Sequence, residues 1–63
     1  MASLKETVER IRKASQNRIV PDNGGKVKIE ILTEAGWITA VPNVTRNIAE
    51  DIIRQATNRV ILG

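Results

Sequence analysis

The sequence predicts a two-layer α+β fold of order α-β-β-β-α, an antiparallel three-stranded meander with two helices packed on one face. Two observations carry that expectation. Residues 26–41 alternate apolar and polar side chains, turn at Glu34-Ala35-Gly36 and alternate again through Trp37, the pattern of a half-buried hairpin. On each side lies a stretch whose apolar residues recur at helical spacing. Residues 1–63 are thereby read as one small α+β domain, with no internal repeat, low-complexity tract or linker.

The first helix is expected to begin at Ser3, because Ser3 and Glu6 stand at the spacing of a capping box, in which each side chain satisfies a backbone donor of the other. Leu4, Val8 and Ile11 form its narrow apolar stripe, with Thr7, Ala14 and Ser15 as smaller neighbours. Glu6 precedes Arg10 and Glu9 precedes Lys13 by four residues, the favourable order for helical ion pairs. That face reads as solvated and largely self-neutralising. Residues 17–20 read as a short edge strand, ended by Pro21-Asp22-Asn23-Gly24-Gly25, where proline sets a turn and the glycines supply positive φ. A double glycine also suggests a phosphate cradle, but such loops lead into a helix N-terminus and this one leads into a strand.

In the hairpin, Val27, Ile29 and Ile31 share one face, while Lys26, Lys28, Glu30 and Leu32 share the other. A three-residue loop with Gly36 in the left-handed position sets Thr33 opposite Trp37, Leu32 opposite Ile38, Ile31 opposite Thr39, Glu30 opposite Ala40 and Ile29 opposite Val41. Pro42 stops the strand, and Asn43 or Thr45 caps a second helix expected over residues 44–58. Its stripe is Ile48, Ala49, Ile52, Ile53, Ala56 and Val60, with Asn47, Glu50, Arg54 and Thr57 opposite and Glu50 paired with Arg54. Val60-Ile61-Leu62 is expected to pack back on the core or on another chain.

This register gives the sheet an inner face of Val27, Ile29, Ile31, Trp37, Thr39 and Val41, with Trp37 as the anchor of the core. The outer face carries Lys26, Lys28, Glu30, Leu32, Ile38 and Ala40. No further element is expected to cover it. Apolar residues grouped beside charged ones on a free face have the composition of a contact surface, and the outer strands add two unpaired rims.

Composition narrows the chemistry. With no cysteine and no histidine, the chain has neither a disulfide nor the usual zinc ligands, and its seven acids are scattered, so neither metal nor cofactor is expected. A domain of 63 residues without such staples depends on regular packing or self-association. Met-Ala-Ser-Leu-Lys-Glu is not a secretory signal, and no apolar run approaches a membrane span, so a soluble, cytoplasmic chain is expected. Asn43-Val44-Thr45 matches a glycosylation sequon, which without an export signal is set aside.

Catalysis would have to proceed without histidine, cysteine or tyrosine. The nearest acid pair, Glu50 and Asp51, points about 100° apart on a helix and cannot converge on one reacting centre. A non-enzymatic role is expected. Net charge +3 keeps nucleic acid in view, with Arg18, Lys26, Lys28 and Arg46 as the phosphate contacts and Arg59 as a further cation without an obvious partner. Base stacking needs exposed aromatics, and Trp37 is the only aromatic residue. The order helix, three strands, helix is similar to that of double-stranded-RNA-binding domains, which grip phosphates with a lysine cluster opening the last helix. The corresponding Asn43-Val44-Thr45-Arg46-Asn47 offers one arginine, so the likeness is of order alone.

The sequence therefore points first to a protein-binding module, a regulator or inhibitor of a larger protein or a self-associating subunit, using the outer sheet face and a sheet edge. Leu32 and Ile38 are its expected anchors, with Lys26, Lys28 and Glu30 setting orientation. The alternative is weak duplex binding through phosphates.

Overall fold

A computed structural model describes residues 3–58. Helix α1 (Leu4–Lys13) leads into strands β1 (Asn17–Pro21), β2 (Val27–Thr33) and β3 (Gly36–Val44), and helix α2 (Arg46–Asn58) follows. The strands form one antiparallel sheet in the order β1-β2-β3. This is the α+β arrangement the hydrophobic pattern predicts.

The capping box at α1 forms as expected. The Ser3 hydroxyl accepts from the Glu6 N–H at 3.2 Å, and the Glu6 carboxylate accepts from the Ser3 N–H at 3.2 Å. Ser3→Ala removes one of these acceptors and is expected to cost about 1 kcal/mol, or roughly 4–8 °C in thermal midpoint for so small a domain, as circular dichroism would read.

The core is aliphatic. Ile11 of α1, Val27, Ile29 and Ile31 of β2, and Ala49, Ile52 and Ala56 of α2 form one buried cluster, so both helices sit on the same sheet face. Ala49 and Ala56 are small enough to let α2 approach closely. Leu4 and Ile48, both expected in buried stripes, are instead exposed. Each lies in the first turn of its helix, where the stripe has not yet met the sheet.

The helical ion pairs also differ in detail from the expected ones. Arg12 joins Glu9, and Arg54 takes Asp51 at 3.0 Å in place of Glu50. Helix α2 starts two residues later than expected, because Val44 still pairs with Val27 in the sheet. Thr45 is its cap, the hydroxyl accepting from the Ile48 N–H at 3.3 Å. Arg59 and the apolar Val60-Ile61-Leu62 lie outside the described residues.

The hairpin register is the main correction. Thr33 pairs with Gly36, Leu32 with Trp37, Ile31 with Ile38 and Glu30 with Thr39, so the loop has two residues, Glu34 and Ala35. Gly36 does take a positive φ of 102°, but from within β3. The Thr33 hydroxyl closes this turn, accepting from the Ala35 N–H at 3.1 Å and donating to the Gly36 carbonyl at 2.9 Å. A slip of one residue exchanges the faces of a strand. Trp37 and Thr39 therefore leave the inner face, and Ile38 enters it opposite Ile31.

Farther from the turn the difference disappears. A bulge between the Glu30 and Ile29 pairs absorbs one residue of β3, so Ile29 faces Val41 as expected and Ala40 packs against the core. A second irregularity lies between the Ile29 and Val27 pairs, where Asn43 has a φ of 49°. Asp22 braces this bend. Its carboxylate accepts from the Asn43 N–H at 2.9 Å and from the Asn23 N–H at 2.8 Å, and the Asn43 amide donates to the Asn23 carbonyl at 3.3 Å. The Pro21–Gly25 turn thus turns its Asn23 donor to the chain's own carboxylate rather than to a phosphate.

Candidate functional site

The pairing that holds β2 between β1 and β3 sets one row of side chains on the sheet face away from the helices. It comprises Arg18 and Val20 from β1, Lys28, Glu30 and Leu32 from β2, and Trp37 and Thr39 from β3. No described helix packs on this face.

Arg18 and Glu30 are direct cross-strand partners, and Leu32 faces Trp37 one step along. The guanidinium of Arg18 crosses β2 and lies 3.9 Å from the centroid of the Trp37 ring. Glu30 fixes it there, one carboxylate oxygen accepting from Arg18 Nε at 2.8 Å and lying 2.7 Å from Nη2. The other oxygen lies 3.7 Å from Lys28 Nζ. The Glu30 side chain is only 14% exposed while Arg18 is 46% exposed, so the anion sits low in the cluster and the cation above it. A cation over an indole face gains about 0.5–1 kcal/mol at exposed sites, and the carboxylate limits the rotamers Arg18 must give up on binding.

The expected contact residues separate into two groups. Lys28, Glu30 and Leu32 lie together on this face, and Lys26 is exposed one residue before β2. Ile38 and Ala40, expected on the same face, pack against the core instead, because the shorter loop and the bulge reassign them. Trp37 replaces Ile38 beside Leu32. The signal that could have shown this is Thr33, whose hydroxyl favours a tight turn directly after it.

The four cations expected to meet phosphates are not equivalent. Arg18 and Lys28 both engage Glu30, which was not foreseen as their partner, while Lys26 and Arg46 are exposed. Around the turn end of the sheet, α1 and the hairpin leave an open groove of about 580 Å³ whose lining includes Arg10, Lys13, Ala14, Leu32 and Ile38.

Of the acids weighed for catalysis, Asp51 binds its own helix, accepting from Arg54 at 3.0 Å and from the Gln55 amide at 3.0 Å. Among the described residues no three acids converge in a way that could hold a metal ion. No helix among them is long and apolar enough to cross a membrane. No protein-family model matches the chain, and neither a curated protein nor a solved structure matches it.

Proposed function

We propose that this chain is a small, non-enzymatic, cytoplasmic protein-binding module, a regulator or inhibitor of a larger protein, which meets its partner with the outer face of its sheet. One observation carries the reading. The single tryptophan lies on the sheet face that no described helix covers, under an arginine held in place by Glu30. Tryptophan and arginine are the residue types that most often dominate interface energetics, and a side chain already fixed loses little entropy on binding. Leu32 beside Trp37 supplies the apolar centre, and Lys26 and Lys28 form a polar rim that steers encounter.

Trp37 on an open face also revives base stacking, which needs an exposed aromatic. Two features weigh against nucleic acid. Arg18 already covers one side of the ring, and Glu30 sets a carboxylate among the cations that phosphates would have to approach.

The test is affinity capture by the wild-type chain, by Leu32→Glu with Trp37→Ala, and by a helix-face control, Glu50→Gln. The outer-face variant is expected to lose the captured protein at least about tenfold while keeping its circular dichroism, and the control to retain it. Equal capture by all three chains, or capture of nucleic acid alone that vanishes with salt, would overturn the reading.

A further inference from the structure

We infer that Asn23 is a site of spontaneous covalent modification, deamidation to aspartate and isoaspartate with water as the only co-reactant, and that the isoaspartate form loosens the tie between the Pro21–Gly25 turn and β3. This goes beyond the protein-binding reading and does not depend on it.

The sequence supplies the reacting pair. In deamidation the backbone nitrogen that follows an asparagine attacks that residue's own carboxamide, and a side chain on the following residue crowds the approach. Of the five asparagines only Asn23 is followed by glycine, which has no Cβ. Asn17, Asn43, Asn47 and Asn58 precede Arg18, Val44, Ile48 and Arg59, and each lies within a strand or a helix whose hydrogen bonds hold its backbone.

The fold leaves this pair open to water. Asn23 and Gly24 are both exposed, and beyond its chain neighbours no atom lies within 4 Å of where a side chain at Gly24 would begin. The Asn23 carboxamide makes no hydrogen bond among the described residues, whereas that of Asn43 is engaged. The bonds of the turn run to the Asn23 N–H and carbonyl and to the Lys26 N–H, and none takes the Gly24 N–H. Gly24 has a φ of 66°, which glycine adopts without the strain other residues incur. The turn that requires glycine there therefore also presents the labile pair.

The reaction balances with water alone. The Gly24 nitrogen gives up its proton and bonds to Asn23 Cγ, the Cγ–Nδ2 bond breaks, and ammonia leaves with that proton. Water then opens the cyclic imide. Breaking the bond from nitrogen to Cγ leaves aspartate on the original backbone. Breaking the bond from nitrogen to the backbone carbonyl carbon leaves isoaspartate, in which the chain runs through Cγ and the former backbone carbonyl becomes a free carboxylate. Nothing is oxidised or reduced. Ring closure turns the backbone of Asn23 and releases the bonds to its carbonyl, an opening that a short, exposed turn undergoes at low cost.

That carbonyl accepts from the Lys26 N–H at 3.2 Å and from the Asn43 amide at 3.3 Å. In isoaspartate an added backbone carbon displaces it to a side branch, and a second carboxylate stands beside Asp22, whose oxygens already take the Asn23 and Asn43 N–H groups. Like charges so close disfavour each other, and the brace on the bend at Asn43 weakens.

Peptide mapping by mass spectrometry of the full chain, held in mildly alkaline buffer with and without urea, tests this. In the folded chain Asn23 is expected to convert at least about tenfold faster than any other asparagine, with electron-transfer fragmentation showing isoaspartate among the products. Asn23→Gln keeps an unpartnered amide in the turn but would have to close a larger ring, and is expected to stay unconverted. The isoaspartate chain, separated by ion exchange, should melt roughly 4–8 °C below the unmodified one, as the loss of one net hydrogen bond does in so small a domain. Asn23→Asp, which keeps the original backbone, should melt closer to wild type. Conversion confined to the urea-treated chain, or no faster than at the other asparagines, would overturn the site; an isoaspartate chain that melts with the unmodified one would overturn its effect on the turn.

Discussion

Ile29→Ala is expected to leave most of the chain unfolded at 25 °C. Ile29 is fully buried in the central strand, paired with Ile19 on one side and Val41 on the other, and belongs to the cluster that joins both helices to the sheet. Truncating such a side chain removes its transfer free energy and leaves a cavity, together about 2–5 kcal/mol. A domain of this size, with no cysteine to cross-link it, has only roughly 3–5 kcal/mol in total. Urea unfolding followed by far-ultraviolet circular dichroism would measure the loss. A midpoint within experimental error of wild type would contradict the assigned core.

Ile38→Asp and Trp37→Ala are expected to have opposite consequences for neighbouring residues of one strand. Ile38 faces Ile31 on the helix side, so a carboxylate there forfeits apolar packing against the core, a loss that Arg10 and Lys13 in the adjoining groove offset only in part, and should cost about 1–2 kcal/mol, a large fraction of the stability of so small a domain. Trp37 faces Leu32 on the open side and contributes chiefly its contact with Arg18. Losing it should cost only about 1 kcal/mol of stability. Association with the protein partner proposed above should suffer far more. Thermal melts of the two variants side by side separate this register from the one-residue alternative, in which Ile38 lies outside and tolerates the acid.

The elements themselves were legible in the sequence because each is specified locally. Ser3 and Glu6 cap α1 from three residues apart, and the alternation of Val27, Ile29 and Ile31 marks the buried face of β2. Burial within the helices was less legible. Leu4 and Ile48 satisfy the helical period as well as Ile11 and Ile52 do, yet periodicity cannot say which turns reach the sheet. The outer face of the sheet was half legible: parity placed Lys28, Glu30 and Leu32 on it correctly, but Ile38 and Ala40, expected there too, pack against the core. Both register choices kept a plausible apolar face, because Trp37-Ile38 offers an apolar residue to either side.

By itself, then, the sequence determined the order of elements, the buried face of β2, and the absence of cysteine and histidine chemistry. It did so because periodicity, capping and composition act over a few neighbouring residues. Only the tertiary structure decided that Trp37 stands outside under Arg18 and that Ile38 stands inside. That choice depends on one residue of loop length, settled by the Thr33 hydroxyl at the turn and made compatible with the Ile29–Val41 pair by a bulge at Ala40. Such a balance is struck between distant parts of the chain, and no local pattern records it.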